Sequence, residues 1–195
     1  MHNKPKLKLI FLVFASCIFI FSPLLILFIP LFFPVTFFYE KYTWVYYTPS
    51  INFILVGIAV ALLFLACLVI LIVNKKKLMY TLTAILTIAA LVLIVGSAMS
   101  YLKISPDGMK VRYAFQLEEK VYAWSDMEKV EYYPVADINE GSASYIARFK
   151  DGEIYKFNET ADVQLIRLDM IMMLEQNKVP YTNMDVGKVN ENTSD

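Results

Sequence analysis

The sequence has one histidine, two cysteines and six glycines among 195 residues, and each shortage excludes a kind of chemistry. His2 is the only histidine and stands in the N-terminal segment, so Ser/His/Asp and Cys/His catalytic systems are excluded and a histidine metal site is not expected. Cys17 and Cys67 stand in apolar stretches without a CxxC pair and are interpreted as small apolar side chains. No glycine-rich phosphate loop occurs. The sequence therefore predicts no enzyme, no metal site and no cofactor.

The formal net charge is zero, because 18 basic residues balance 18 acidic ones. Without a basic excess the chain has no electrostatic footprint for a phosphate backbone, so nucleic-acid binding is not expected. The balance hides a division. Residues 1–102 contain seven lysines and one acidic residue, Glu40, whereas residues 103–195 contain 11 basic and 17 acidic residues. Two chemically different halves, of net charge +6 and −6, make up the neutral chain.

Three long apolar stretches without Asp, Glu, Lys or Arg fill the first half, at residues 9–33, 51–73 and 78–102. The shortest would extend about 34 Å as an α-helix, enough to cross a hydrocarbon core of about 30 Å. Buried helices of a soluble protein are the alternative, but three consecutive uncharged stretches of this length are typical of membrane spans. Residues 1–102 are therefore predicted to form a membrane domain with three transmembrane helices.

The first stretch has two further interpretations. A signal peptide is disfavoured because its apolar part has about 7–15 residues, whereas this stretch continues to Phe33. Pro23, Pro30 and Pro34 lie inside or just after the stretch. It is therefore expected to kink or end early, and a re-entrant shape remains an alternative.

The positive charges predict the orientation. Six of the seven lysines in the first half lie at one end of the predicted spans: Lys4, Lys6, Lys8, Lys75, Lys76 and Lys77. The loop at residues 34–50 has only Lys41. Because cytoplasmic loops carry the excess of basic residues, the N-terminus of this multi-pass cell-membrane protein is predicted to be cytoplasmic and the C-terminal domain extracytoplasmic. A re-entrant first stretch would return that domain to the cytoplasm.

The loop at residues 34–50 is rich in aromatic residues: Phe37, Phe38, Tyr39, Tyr42, Trp44, Tyr46 and Tyr47. Such rings suit the depth of the lipid headgroups, so an aromatic belt is the favoured interpretation. A carbohydrate or peptide platform is the alternative.

The predicted spans contain no Asp, Glu, Lys, Arg or His, the usual marks of an ion path or proton relay. Small residues stand four apart at Gly57 and Ala61 and at Gly96 and Ser100, a spacing that lets helix backbones approach closely. Packing of the three helices against one another is the favoured interpretation, and a homo-oligomer contact is the alternative.

The second half changes to short segments of alternating apolar and polar residues. Strands are predicted at residues 102–105, 109–116, 120–124, 130–135, 145–149 and 153–157. Tight turns are expected at Pro106-Asp107-Gly108 and Asp151-Gly152, with a longer loop at 136–144. Ser125 or Asp126 is expected to cap a turn. The pattern predicts an antiparallel meander.

A helix is predicted between Thr160 and Asn177, with Asn158 or Thr160 as its N-cap and Pro180 beyond its end. It carries a broad apolar face: Val163, Leu165, Ile166, Leu168, Met170, Ile171, Met172 and Met173. Core packing is the favoured role of this face, and an adaptable partner-binding surface built on the methionines is the alternative.

The predicted fold class is an α-helical membrane region plus a small α+β domain at residues 103–179. In that domain a bent antiparallel sheet or barrel of five to seven strands is capped by the C-terminal helix. Residues 180–195 are predicted to be a polar, disordered tail.

Two segments of the second half resemble parts of a known domain family. The segment Val121-Tyr122-Ala123-Trp124-Ser125-Asp126-Met127-Glu128-Lys129-Val130 follows a strand, a Pro-Asp-Gly turn and a second strand, and a later strand ends in Phe149-Lys150-Asp151-Gly152. With the terminal amphipathic helix, residues 101–178 resemble the bacterial pleckstrin-homology-like domains attached to small membrane proteins. The resemblance implies a seven-stranded, helix-capped barrel with a binding or scaffolding role and no chemistry.

Phosphoinositide binding does not follow from that resemblance, because it needs a basic loop. Only Lys110 and Arg112 approach one, and they alternate along one predicted strand, where they are interpreted as a solvated face. Carboxylate pairs such as Glu118 with Glu119 or Asp126 with Glu128 are interpreted as solvated surface rather than as acid/base or Ca²⁺ groups.

Three functional hypotheses follow. The leading one is a non-enzymatic membrane protein that presents the pleckstrin-homology-like module to an unidentified protein or peptide at the membrane surface. The second is an accessory subunit of a small transporter or channel. The third is a membrane enzyme that uses surface carboxylates such as Asp126, Glu128 and Asp151. The predicted partners are the lipid bilayer and that protein or peptide, with a homo-oligomer as an alternative and no nucleic acid.

Overall fold

A computed structural model describes residues 4–134 and 142–184, with side chains from residue 8 onward. The chain divides into two compact units. The helical unit contains Met1–Tyr39, Thr48–Tyr101 and Arg112–Glu118, and the polar unit contains Glu40–Tyr47, Leu102–Val111 and Glu119–Asp195.

Three helices form most of the helical unit: α1 at Lys4–Phe37, α2 at Ser50–Ile72 and α3 at Lys76–Ala98. All three are long and apolar enough to cross a membrane, so the three apolar stretches form helices of the predicted kind. Many of their large apolar side chains, such as Phe19, Ile20 and Ile88, are exposed. Outward-facing apolar side chains on helices of this length fit a lipid surrounding.

Helix α1 continues through all three of its prolines, so the first stretch is one helix rather than a re-entrant turn. A proline frees the carbonyl four residues before it, because it has no N–H. The carbonyl freed by Pro23 belongs to Phe19 and accepts the Ser22 hydroxyl at 2.8 Å. The carbonyl of Pro30, freed by Pro34, accepts the Thr48 hydroxyl at 3.3 Å. At Pro23 and Pro34, side-chain hydroxyls thus replace the missing backbone donors.

Polar side chains join α2 to the end of α3. Asn52 is fully buried and its side-chain amide donates to the Ser100 carbonyl at 2.7 Å, while the Ser97 hydroxyl donates to the Asn52 carbonyl at 3.1 Å. Of the two predicted small-residue pairs, Gly57 faces Ile26 of α1, as helix packing requires. Gly96 instead lies against the ring of Phe115, so its lack of a side chain admits an aromatic ring rather than a helix.

The polar unit contains two four-stranded sheets. The first has the order β1-β2-β3-β4, with strands at Val45–Tyr47, Tyr101–Ser105, Gly108–Arg112 and Lys120–Ala123. The second has the order β7-β6-β5-β8, with β5 at Met127–Tyr133, β6 at Ser144–Phe149, β7 at Ile154–Asn158 and β8 at Tyr181–Asn183. The pairs β1–β2, β3–β4, β5–β6 and β6–β7 are antiparallel, and β5 pairs with β8 in parallel. A small, mainly antiparallel α+β domain is therefore confirmed.

Alternating side chains of the strands form the core of this unit. Leu102 and Ile104 of β2 are fully buried, as are Tyr145 and Ala147 of β6. Aromatic rings tie strands together, for example Tyr145 and Phe157, whose ring centroids are 5.2 Å apart. Burial alternates along β6 and β7 with the period of two that the sequence pattern predicts for a sheet with one face turned inward, whereas all five residues of β2 are buried.

Two helices follow the sheets, α4 at Ala161–Leu165 and α5 at Arg167–Gln176. The single helix predicted over residues 160–177 is therefore interrupted at Ile166. The backbone of Ile166 has a ψ of 5°, which is not helical, and it separates α4 from α5. The predicted N-cap is confirmed, because the Thr160 hydroxyl accepts the Val163 N–H at 3.4 Å.

Several boundaries differ from the predicted ones. The third apolar stretch leaves the helix at Ala98 and enters β2 at Tyr101. The strand predicted to reach Gln116 ends at Arg112, and Phe115 takes a left-handed φ of 65°. Strands β1 and β8 were not predicted. His2, most of the predicted 136–144 loop and the tail beyond residue 184 lie outside the described residues.

Candidate functional site

Leu165 and Leu168 are the two most exposed aliphatic side chains among the polar unit's described residues, and both lie on its two helices. Leu165 is 81% exposed, Leu168 74% and Met172 49%. Leu168 and Met172 are four residues apart on α5, the spacing of neighbours on a helix surface, and Leu165 is the last residue of α4, just before the interruption at Ile166. We call these three residues the helix stripe. The core-packing interpretation is wrong for all three.

The opposite side of the helix pair does form core. Val163 and Leu174 are fully buried, Met170 is 1% exposed and Ile166 is also buried. The helix pair therefore has apolar residues on both sides, of which one packs inside the polar unit and the other meets solvent. A large apolar group left in water is unfavourable, by about 25 cal/mol for each Å². Apolar surface that a fold leaves exposed in a cluster is typical of a binding surface.

Acidic side chains flank the helix stripe. Asp162, Asp169 and Glu175 are all exposed on the same two helices. The one basic residue of this segment, Arg167, is partly withdrawn from solvent and directed to an internal carboxylate. The surface around the stripe is therefore apolar with a negative border, and it favours a ligand that is apolar and positively charged.

That internal carboxylate belongs to Glu159, just before α4. It accepts hydrogen bonds from the hydroxyls of Tyr132 at 3.0 Å and Tyr145 at 2.7 Å. The Arg167 guanidinium lies 3.8 Å from it and 4.3 Å from the centre of the Tyr132 ring. The cluster links β5 and β6 to the start of both helices, so it fixes the position of the helix pair on the sheet.

Burial raises the pKa of the Tyr145 hydroxyl, and its hydrogen bond to Glu159 raises that pKa further. Burial is also the first cause of the raised pKa of Tyr132. Both phenols therefore remain protonated donors at neutral pH, since their pKa values rise from an already high ordinary value. The cluster acts as a structural clamp for the helices, because neither phenol is poised to exchange a proton near pH 7.

Two of the three carboxylates considered for catalysis have structural roles, and the third, Glu128, is exposed on β5. Asp126 accepts the Ala123 N–H at 2.9 Å, which confirms the predicted turn cap. Asp151 accepts the Tyr122 hydroxyl at 3.1 Å and the Glu153 N–H at 3.0 Å in the predicted hairpin turn. Within the described residues no three His, Cys, Asp or Glu side chains are grouped so that they could hold a metal ion.

Lys110 and Arg112 are the two more exposed positions of β3, as the interpretation of a solvated face requires, but both cations have partners within the fold. Lys110 bonds to Glu40 at 2.7 Å. Arg112 donates to the carbonyls of Gln116 at 3.2 Å and Leu117 at 2.5 Å, and so closes the turn after β3. Both cations are already used within the fold, so they do not form a free phosphate-binding pair.

Sequence reasoning missed the ion-pair group around Glu40. Lys103 of β2 is 3% exposed, and its ammonium lies 2.8 Å from Glu40 and 3.2 Å from Glu119. The hydrogen bond from Lys103, followed by that from Lys110, lowers the pKa of the Glu40 carboxyl. One signal was available, since Glu40 is the only acidic residue of the first half. The group connects the segment Glu40–Tyr47, which contains β1, to strands β2 and β3.

The aromatic loop is also used differently from the favoured belt interpretation. Val45, Tyr46 and Tyr47 form β1 and pair with β2 through Ile104, Lys103 and Leu102. The Tyr47 hydroxyl accepts the Asn158 N–H at 3.2 Å, and the Tyr47 ring packs edge-on to Phe157. Part of this loop is therefore a structural strand of the polar unit.

No protein-family model matches this chain, and no curated protein matches it. The candidate site therefore rests on the geometry of the helix stripe and of the groups that hold it.

Proposed function

We propose that this chain is a non-enzymatic, multi-pass membrane protein that displays a pleckstrin-homology-like module and binds a protein partner with it at the membrane surface. The observation that carries this proposal is the exposed helix stripe, Leu165, Leu168 and Met172. The two sheets followed by a helix pair support the pleckstrin-homology-like assignment, since that architecture is likewise a strand framework closed by a C-terminal helix.

The acidic border of the stripe selects the class of partner. A membrane surface rich in anionic lipids repels Asp162, Asp169 and Glu175, whereas a basic segment of a protein is attracted to them. An amphipathic helix that carries lysine or arginine beside its apolar face is complementary both to the apolar stripe and to its acidic border. The partner is therefore a protein with a basic amphipathic segment.

The same proposal places the module outside the cytoplasm. Lys8 of α1 donates to the Leu71 carbonyl near the end of α2 at 3.0 Å, so the N-terminal lysines and the tri-lysine turn share one end of the helices. Strand β1 lies between α1 and α2, and it pairs with β2, which follows α3. A sheet does not form across a bilayer. The positive-inside rule then supports a cytoplasmic lysine end and an extracytoplasmic polar unit.

A photo-reactive benzophenone amino acid in place of Leu168 tests the binding role in native membranes. We expect a discrete protein adduct from Leu168 and none from the same amino acid in place of Val121, an exposed apolar position on β4. In the full chain, Leu165→Asp should lower the adduct yield about five- to tenfold, as loss of an apolar contact at an interface does.

Charge reversal tests the partner class. The double variant Asp162→Lys, Asp169→Lys should lower the yield of the protein adduct at Leu168. The loss of yield should be larger at low salt than at high salt. Glu128→Lys, at an exposed site on β5, is the matched control and should leave the yield unchanged. Lipid adducts alone, or equal protein adducts at Leu168 and Val121, would contradict the proposed binding role.

A further inference from the structure

A second surface of interest lies at the lysine end of the helical unit. A pocket of about 150 Å³ opens there between the start of α1, the end of α2 and the start of α3. Its polar lining consists of Lys8, Asn74, Lys76 and Tyr80, and Val73 and Met79 contribute apolar surface. We call it the lysine pocket. A cavity of this order holds a benzene-sized group, and a phosphate group is no larger.

The charge of this pocket is not balanced within the described residues. Lys8 uses one of its three N–H donors on the Leu71 carbonyl, and its ammonium keeps two others. The chain has no acidic residue before Glu40, and none between Glu40 and Asp107. The adjacent Lys75 and Lys77 add two further charges of the same sign. A group of ammonium ions without a carboxylate partner favours an anion as its ligand.

The shape and lining of the pocket specify that anion further. Lys8 and Lys76 supply charge for a phosphate, and the Asn74 amide supplies additional donors. Val73 and Met79 present apolar surface beside those groups, and the neighbouring Ile72 and Leu78 are exposed apolar side chains at the ends of the membrane-length helices. A soluble phosphate would leave this apolar surface in water. The glycerol and first methylene groups of a lipid would cover it.

We propose that the lysine pocket binds the phosphate-bearing headgroup of an anionic phospholipid. Basic pockets between transmembrane helices on the cytoplasmic side are suited to this chemistry. Each lining lysine contributes to affinity by direct contact with the phosphate, whereas lysines outside the pocket contribute only through the general field. The inference does not depend on the helix stripe, because it concerns a different unit and a different ligand.

Native mass spectrometry of the full chain in a neutral detergent tests the proposal, with phosphatidylglycerol, phosphatidylcholine and inorganic phosphate as separate probes. We expect retention of phosphatidylglycerol and neither of the other two. Lys8→Gln and Lys76→Gln should each weaken phosphatidylglycerol binding about fivefold, the loss expected for one basic residue at an anionic headgroup.

Lys77→Gln is the matched control, because it removes the same charge from the same turn but does not line the pocket. It should change binding less than twofold, since a general field is screened and weak. Equal losses from Lys76→Gln and Lys77→Gln would overturn the pocket in favour of diffuse attraction. Equal retention of phosphatidylcholine would overturn the anionic preference, and displacement of the lipid by millimolar phosphate would assign the pocket to a free anion. Circular dichroism of each variant reports whether helix content is unchanged.

Discussion

The helical unit and the polar unit solve the problem of burial in different ways. In the helical unit Phe19 is 70% exposed, whereas in the polar unit Phe149 is 1% exposed. Lipid takes the place of a protein core around the first side chain, and the sheets provide that core for the second. A buried phenylalanine therefore stabilises the polar unit more than an exposed one stabilises the helical unit, because only the polar unit must exclude water by its own packing.

Polar contacts also differ between the two units. Within the helical unit the best-buried polar link is that of Asn52 with Ser97 and Ser100. The polar unit contains the clusters around Glu40 and Glu159, in which ammonium, guanidinium and phenol groups meet carboxylates. Charged clusters of this kind hold separate parts of a chain together in water, but they are expensive in a hydrocarbon surrounding.

The largest effect should come from truncating the two phenylalanines. Phe149→Ala should destabilise the polar unit by about 3–5 kcal/mol, because it leaves a cavity in a packed core. Phe19→Ala should cost less than about 1 kcal/mol, since lipid fills the vacated space. Both tryptophans, Trp44 and Trp124, belong to the polar unit, so tryptophan fluorescence during denaturant titration of the full chain reports on Phe149→Ala. Loss of helix signal in far-ultraviolet circular dichroism during the same titration reports on Phe19→Ala, because α1, α2 and α3 form most of the helical unit. Equal losses of unfolding free energy in the two variants would contradict this difference between the units.

A smaller effect is expected at the polar link of the helical unit. Asn52→Ala removes the bond to the Ser100 carbonyl and should cost about 0.5–2 kcal/mol, the range of hydrogen bonds between membrane helices. Backbone hydrogen exchange around Ser97–Ser100, measured in nanodiscs, should increase. Thr81→Ala, whose hydroxyl bonds only within α3, is the control and should leave that exchange unchanged.

The smallest effect concerns pH. Lys103 and Lys110 lower the pKa of Glu40, so the Glu40 carboxylate stabilises the polar unit above its ordinary pKa of about 4.5, and that contribution is lost as pH falls through the lowered value. Because the carboxylate is partly exposed, the effect should be about 1 kcal/mol or less. Glu40→Gln should flatten this part of the stability profile below pH 5, measured by tryptophan fluorescence. If Glu128→Gln flattened the pH dependence of stability as much as Glu40→Gln, the loss of stability at low pH would not come from Glu40.

The sequence predicts the helical unit well because its signals are local. Uncharged stretches identify α1, α2 and α3 without reference to any other part of the chain. The strands of the second half are likewise predicted from their alternation and from turns such as Asp151-Gly152, whose glycine has the positive φ of 88° that this residue tolerates. Local patterns therefore account for most element positions.

Elements defined by distant partners were not predictable in this way. β1 has only three residues and becomes a strand by pairing with β2, far along the chain. β8 likewise depends on β5, and nothing in Tyr181-Thr182-Asn183 distinguishes it from a polar tail. The helix stripe was missed for a related reason. The helix pair is apolar on both sides, and the position of the sheet decides which side is core.

Cysteine labelling in intact bacterial spheroplasts is the most direct test of the proposed orientation, with a cytoplasmic lysine end and an extracytoplasmic polar unit. The variants carry Cys17→Ser and Cys67→Ala, with Gln164→Cys on the polar unit or Lys77→Cys in the tri-lysine turn, both exposed positions. A membrane-impermeant maleimide should label Gln164→Cys before lysis and Lys77→Cys only after lysis. Labelling of both before lysis, or of Lys77→Cys alone, would contradict the account.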